Sequence, residues 1–428
     1  MKFGKTVLLV CVLGVVLFFR FQQFYHSNPS LKDGQKFDVT TTLQAEPKFS
    51  NQGQKFSIKT PINQLIFVTA SAFPRYHYGQ VIQVQGMLKA KTFDDGQTIF
   101  LLYHPKIVFK QDAENPVAAG AKDIRDRTET IYDAALPPTS ASLLMGIVFG
   151  AKEQFSDEFW QDLQATGVLH VIAASGMNVT FVAAALLFTL GLFLQRRVAL
   201  VLGSFGIFFY VFLVGFQPSI LRASIMGLLA FGAGLLGKQN FAAVAVFVSG
   251  YFLLLYQPSY LFDVGFQLSF LATLGIIFVK PLIDGWFSKF GKLVEFGGEA
   301  VSTTLAAELG TIPILFGTFG QLGLLSLLVN ALVLWTVPLL MIIGSVAAIV
   351  GLVFPLLGQL LVYPALPFLL FFELVVSYFG ARGWVMTFTH WSWTFSVGYY
   401  LLLAAIILIK KPAQKGLSVE ESLALEKH

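Results

Sequence analysis

From Ser140 to Ile409 the sequence is one succession of apolar runs separated by short polar or basic connectors. The runs lie at 168–194, 198–216, 220–236, 241–256, 261–279, 301–317, 322–354, 357–380 and 395–409. A helix needs about 20 apolar residues to cross the hydrocarbon core of a bilayer. With no water there, every backbone N–H and C=O must be satisfied within the protein, and continuous apolar runs of this length do that as helices. Composition agrees. Hydrophobic residues make up 55% of the 428, charged residues only 12%, and mean hydropathy is +0.70. A soluble domain carries about twice that share of charge. A purely soluble enzyme, a disordered chain and a collagen-like chain are therefore excluded.

Before residue 140 the chain is of two kinds. Met1 to Lys5 is basic, Thr6 to Phe19 is apolar, and Arg20-Phe-Gln-Gln-Phe follows without a small-residue cleavage site. That predicts an uncleaved N-terminal membrane anchor over 1–25, with the lone cysteine, Cys11, buried in it as a small hydrophobe. One cysteine allows neither an internal disulfide nor a thiolate metal cluster. Residues 26–115 instead alternate, as in Phe37-Asp-Val39, Phe56-Ser-Ile58, Leu65-Ile-Phe-Val68, Ile82-Gln-Val84 and Thr98-Ile-Phe-Leu-Leu-Tyr103. Period-two alternation between Gly, Pro and Asp breakers predicts a small β domain, with an OB-like barrel as one candidate. A helical linker over 116–139, a helical membrane domain over 140–410 and a tail over 411–428 complete the expected organisation. Ser156, ahead of Asp-Glu-Phe-Trp, is the expected cap of an amphipathic helix.

The fold class expected is an α-helical polytopic membrane protein of about ten spans, one broken or re-entrant, carrying an extracytoplasmic β domain. The positive-inside rule orients it. Lys2 and Lys5 put the N-terminus in the cytoplasm and the β domain outside, and strict alternation then places Arg196, Arg197, Lys238, Lys280 and Lys410 inside. This requires one net crossing over 322–354. As one helix that stretch would measure about 50 Å, so a half-membrane or re-entrant piece, broken at Pro338, is expected ahead of a full span. Arg382 falls on the wrong side.

The candidate site is a set of polar residues inside apolar runs, where they are costly to place. Arg222 follows Pro218-Ser219, Asp263 opens a run with Gln267 one turn later, Glu308 lies within another, and Asn330 sits in the broken one. His170, Ser175, Gly176 and Asn178 stand together where the first of these runs begins. They either hold the bundle together or line a water-filled path. If acids such as Asp263 and Glu308 share a path with Arg222, pairing with it or with helix N-termini is one way to accommodate them. In the β region ten Lys and Arg outnumber six acids between residues 30 and 112. Arg75, Tyr76 and Tyr78 there form a candidate platform for single-stranded nucleic acid, since bases stack on rings and phosphates seek cations. An ordinary aromatic core under a solvated face explains the same residues. Gly232-Ala-Gly234-Leu-Leu-Gly237-Lys238 has the spacing of a phosphate-binding loop but lies in a membrane run with no strand before it, which points to helix packing. The six histidines include no pair within five residues, and nothing calls for a metal or other cofactor.

Taken together, these motifs resemble the ComEC competence family of DNA-uptake channels, over about residues 140–410. His170-Val-Ile-Ala-Ala-Ser-Gly-Met-Asn178 is similar to the family's His-Leu-Leu-Ala-x-Ser-Gly-Leu-His signature, with Asn178 in place of its last His. Pro218-Ser-Ile-Leu-Arg222-Ala-Ser-Ile-Met226 resembles its Arg-Ala run, and Gly265-Phe-Gln267-Leu-Ser-Phe270 its Gly-Phe-Gln-Leu-Ser-Phe segment. Thr311-Ile-Pro313 and Asn330 resemble further positions, and residues 30–112 its outer OB-like domain. The resemblance implies a multi-pass channel in the bacterial plasma membrane that passes single-stranded DNA into the cytoplasm in natural transformation. It is not an enzyme on this reading. Implied partners are an outer DNA receptor and a cytoplasmic motor ATPase. Larger members carry a metallo-β-lactamase-like domain; this sequence shows none, so if the other strand is degraded, a separate nuclease does it. Two other readings stay open: an ion-coupled small-solute transporter using the same polar residues, and an intramembrane serine hydrolase around Ser175 with His390 as a distant base.

Overall fold

The computed structural model describes residues 2–409 apart from 29–30, 44–47, 51–52, 61, 63, 77–79, 93–97, 112–115, 151–154, 173–175, 238–241, 288–297, 320, 324, 383–384 and 388–391. The N-terminal run is one helix, α1 (Lys2–Ser27). Cys11 is exposed on it, so the expectation of a buried cysteine is corrected: on a single helix at the edge of a bundle most side chains face outward.

Each of the five alternating stretches is a strand. They are β1 (Lys36–Thr42), β3 (Gly53–Lys59), β4 (Leu65–Ala70), β5 (Val81–Met87) and β7 (Thr98–Tyr103). Alternate residues point inward: Phe56 and Ile58, Ile66 and Val68, Ile82 and Val84, Phe100 and Leu102 form one core. Three further strands, β2 (Lys48–Ser50), β6 (Lys89–Thr92) and β8 (Lys106–Gln111), begin with lysine and lie at sheet edges. Edge strands commonly carry charge in place of apolar alternation, which is why the pattern passes over them. The sheets run β1-β5-β8 and β2-β3-β4-β7-β6, antiparallel except for the parallel β4–β7 pair. Among the described residues they do not close into a barrel. The chain changes sheet between β5 and β6 at Leu88, whose backbone pairs instead with Gly34 and Gln35.

The helices follow as α2 (Pro116–Ala135), α3 (Pro138–Phe149), α4 (Asp157–Ala165), α5 (Leu169–Ile172), α6 (Gly176–Phe193), α7 (Arg196–Val214), α8 (Pro218–Leu235) and α9 (Ala242–Tyr256). After a 3-10 turn at Pro258–Phe262 come α10 (Val264–Phe278), α11 (Lys280–Phe287), α12 (Gly298–Phe319), α13 (Ser326–Val333), α14 (Thr336–Gly351), α15 (Pro355–Val362), α16 (Leu366–Gly380) and α17 (Trp393–Ile409). Four segments are long and apolar enough to cross a membrane: α6, α7, α8 and the α15–α16 stretch. Two bent pairs, α10–α11 at 42° and α13–α14 at 45°, bring the number to six among the described residues. Several expected spans are shorter than their apolar runs. The run from 168 starts as the four-residue α5, and α9 has 15 residues, about 22 Å at 1.5 Å each.

The stretch 322–354 holds a bent pair of helices. Gln321–Gly323 is a short strand, β9, paired with β10 (Val385–Thr387), so the helical part is shorter than the run. α13 and α14 are bent by 45° where they join, the geometry of a broken span or of a re-entrant piece. The bend falls at Leu334–Trp335 rather than at Pro338, because proline fits the first turn of a new helix and its ring disfavours a helical carbonyl four residues earlier.

At the centre lies α3, with every residue from Ser140 to Phe149 buried, as expected for a helix apolar all round. Tyr132 of α2 is wholly buried against it and donates its hydroxyl to the Gly344 carbonyl of α14 at 2.8 Å. Ser156 caps α4 as expected, accepting from Phe159 N at 3.2 Å. Between α10 and α12 bare backbones meet: a methyl group at Gly275 would collide with the Ala306 carbonyl, and one at Gly310 with that of Leu271. Of the glycines at 232–237, Gly234 touches Leu200, Gly232 meets nothing, and Gly237 ends the helix at φ +63°, so helix packing explains only part of that motif.

Candidate functional site

Arg222 sits one turn into α8, whose first residue, Pro218, suits a helix start. It is 5% exposed. Ser269 and Thr273, four residues apart on one face of α10, receive its two terminal nitrogens, Ser269 Oγ at 2.6 Å and Thr273 Oγ1 closer still. Its Nε has no hydrogen-bond partner among the described residues, and no carboxylate among them comes within 4 Å. Pairing of Arg222 with the intramembrane acids is thus not what the structure shows. Both hydroxyls are neutral, so the charge is solvated locally but not neutralised.

Gly176, the first residue of α6, stands beside this guanidinium. A methyl group at Gly176 would lie 3.5 Å from Nη2 and 3.2 Å from Ala223 Cβ. Two residues on, Asn178 is wholly buried and donates Nδ2 to the Ile147 carbonyl at 2.9 Å. Tyr210 of α7 donates to the Val148 carbonyl at 3.0 Å. The last carbonyls of a helix lack partners of their own. Gly150, left-handed at φ +71°, satisfies Gly146, and Asn178 and Tyr210 satisfy the next two. Asn178 therefore clasps α3 to α6.

A second cluster joins α5, α12 and α13. His170 places Nδ1 3.0 Å from the Gly167 carbonyl, which accepts. Gly167, at φ +72°, packs so closely on Ser326 that a methyl group would come within 2.8 Å of its Cβ. Ser326 donates to Glu308 Oε1 at 2.8 Å. One turn further, Asn330 is 3% exposed and its Oδ1 has no partner among the described residues. Asp263 and Gln267 serve the start of α10: the carboxylate accepts from Phe266 N at 3.0 Å, and the amide donates to the Leu261 carbonyl at 2.8 Å. A carboxylate at a helix N-terminus is favoured by the dipole. Ser175 lies outside the described residues.

Sequence reasoning passed over Glu373 of α16, which accepts from Ser140 of α3 at 2.5 Å. A lone acid in an apolar run was the available signal. It also named no role for Ser269 and Thr273, whose i, i+4 spacing was the cue to a shared face.

In the β region Arg75 pairs with Phe73, not with Tyr76. The guanidinium lies 5.7 Å from the Phe73 ring, which is 73% exposed. Tyr76 is 5% exposed with its ring against Phe56, so it belongs to the core and offers no stacking surface. Gln54, wholly buried, fixes the loop between them. Its amide donates to the Ser71 and Pro74 carbonyls at 2.8 and 2.6 Å and accepts from Tyr76 N at 2.9 Å. Tyr78 lies outside the described residues. No three His, Cys, Asp or Glu among the described residues come together as metal ligands would.

Apolar helices of spanning length, tied to one another by buried polar side chains, define a membrane-embedded helical protein. The chain belongs to the Competence protein family, which matches residues 147–412 and so includes both polar clusters. It is 29% identical to ComE operon protein 3 of Bacillus subtilis (strain 168) over 227 residues, 53% of this chain and 28% of that one. An uncharacterized protein of Aquifex aeolicus (strain VF5) is 27% identical over 226 residues, 48% of this chain and 53% of the relative. The chain thus spans about a quarter and about half of the lengths of these two relatives. A shorter stretch of 102 residues, 23% of this chain, is 36% identical to glycerol-3-phosphate acyltransferase of Streptococcus thermophilus. No solved structure matches.

Proposed function

We propose that the helical bundle passes a single strand of DNA across the bacterial plasma membrane into the cytoplasm during DNA uptake. Membership of the competence family supports the role in uptake. The observation that carries the transport reading is Arg222, a buried cation with no acid beside it among the described residues, within the matched region. A path for a polyanion must offer cations and keep carboxylates occupied. Asp263 and Glu308 are occupied, one by a helix N-terminus and one by a serine hydroxyl. On this reading Arg222 is a path or gate residue, with His170, Ser175, Gly176, Asn178, Asp263, Gln267, Glu308 and Asn330 forming or positioning the path.

The division into anchor (1–25), β domain (26–115), linker (116–139), channel domain (140–410) and tail (411–428) belongs to this proposal, as does the topology. Arg20 near the end of α1 donates to the Leu255 and Tyr256 carbonyls that end α9, while Tyr251 donates to the Leu13 carbonyl. Advancing together, α1 and α9 run parallel, as a cytoplasmic N-terminus with strict alternation requires. Arg382, the dissenting cation, bonds the Tyr378 carbonyl and covers the Tyr378 ring, so it serves the C-terminus of α16. The strand order supports an OB-like outer domain. Within the five-stranded sheet the order β2-β3-β4-β7-β6, with its parallel β4–β7 pair, is what favours that reading. Phe73 and Arg75 are its best-placed DNA contacts. An outer DNA receptor and a motor ATPase are the partners this role calls for.

The test is Arg222→Ala. Uptake of labelled DNA into the cytoplasm should fall by at least about tenfold with the protein still inserted, the loss expected for a charge-assisted contact to phosphate. Normal uptake in that variant removes Arg222 from the path.

A further inference from the structure

We infer that Arg222 and the N-terminal end of α6 together form a binding site for one phosphodiester group of the passing strand. The inference rests on the transport reading and names what the bundle grips.

Two sources of positive potential converge there. The first is the guanidinium, 5% exposed, held by the hydroxyls of Ser269 and Thr273, with Nε unpartnered among the described residues. An ion taken out of water without a counter-ion is strongly unfavourable, and two neutral hydroxyls do not supply one. The second is α6, 18 residues long, whose first residue lies against that guanidinium. The N-terminal end of a helix carries a partial positive charge and N–H groups that point at an anion. Glycine at 176 lets the helix end approach the guanidinium closely, because a methyl group there would lie 3.5 Å from Nη2 and 3.2 Å from Ala223 Cβ. No carboxylate among the described residues approaches within 4 Å to compete.

The charge balance selects the ligand class. One guanidinium and one helix end suit a monoanion with oxygens to accept several N–H groups, which describes a phosphodiester. Such a site reads backbone charge and no base, so it grips every sequence alike, as a path for arbitrary DNA requires.

Thermal unfolding of the full-length protein in detergent tests this, with a thymidine tetranucleotide as probe and its uncharged methylphosphonate analogue as control. The phosphodiester probe should raise the melting temperature saturably and the analogue should not. Arg222→Gln should weaken apparent affinity for the probe by at least about tenfold. If Arg222→Gln does not fold, Arg222→Lys and Gly176→Ala take its place, the first losing the planar fork and the second covering it, and both should weaken binding. Equal stabilisation by the analogue, or wild-type affinity in the variants, overturns the site. The two proposals fail separately. Arg222-dependent binding in a protein that imports no DNA leaves the site standing and removes the transport reading. DNA import with no Arg222-dependent binding does the reverse.

Discussion

A guanidinium shut away from water, a carboxylate held by one serine and an amide spent on a helix end are all costly placements, each compensated differently. Asn178 is compensated within the fold. Its replacement by alanine leaves the buried Ile147 carbonyl without its donor and should cost about 1–3 kcal/mol, read as a loss of thermal stability in detergent. Asp162 of α4 gives a pH-dependent counterpart. Burial raises its carboxyl above the usual aspartate range, a bond to Ser377 partly offsets this, and Glu158 adds to the rise. A raised acid means that the folded protein holds the proton more tightly than the unfolded chain. Stability from this group is therefore greatest at low pH and is lost as pH climbs from about 4 through the raised value. Asp162→Asn should flatten that part of the profile of melting temperature against pH. Arg222, Asp263 and Glu308 were legible in the sequence as ionisable residues in apolar runs. Their partners were not, because Ser269, Thr273 and Ser326 are unremarkable in such runs until helices bring them opposite a charge. Tyr76 shows the converse: an aromatic near an arginine in sequence lies in the core, and Phe73 shares the surface with Arg75.

At the scale of elements, the joins between helices come from backbone groups that the helices leave exposed. Pro313 inside α12 has no N–H for the Leu309 carbonyl, and Tyr399 of α17 supplies a hydroxyl at 2.7 Å, with Tyr400 on Gly310 at 3.1 Å. Tyr399→Phe should cost about 1–3 kcal/mol of thermal stability by stranding that carbonyl. The glycine contact between α10 and α12 is stricter, because what would meet a new side chain is backbone. Gly275→Ala should cost about 1–3 kcal/mol or more, measured by the same thermal assay. Five of the strands and the capped start of α4 could be read from alternation and from Ser156. Span lengths could not, since an apolar run records burial in lipid or protein without saying where the helix inside it starts, bends or stops. For the same reason the run containing α13 and α14 showed that a break was needed but not its place, which is Leu334–Trp335 after a short strand.

For the whole molecule, the apolar runs fixed the class of protein, and polar motifs inside them pointed to the family that residues 147–412 match. The parallel contact of α1 with α9 links the N-terminal helix to that region and makes the topology testable with the single native cysteine removed. In a Cys11→Ser background, a membrane-impermeant thiol reagent applied outside should label Arg75→Cys and spare Arg196→Cys; the opposite pattern inverts the topology. The most direct measurement follows labelled DNA into the cytoplasm of a transformable strain that lacks its own uptake channel and expresses this chain. The account predicts that one strand arrives with the wild-type protein and none with Arg222→Ala at equal membrane insertion. Equal arrival in both, or no arrival despite confirmed insertion of the wild-type protein, would contradict it.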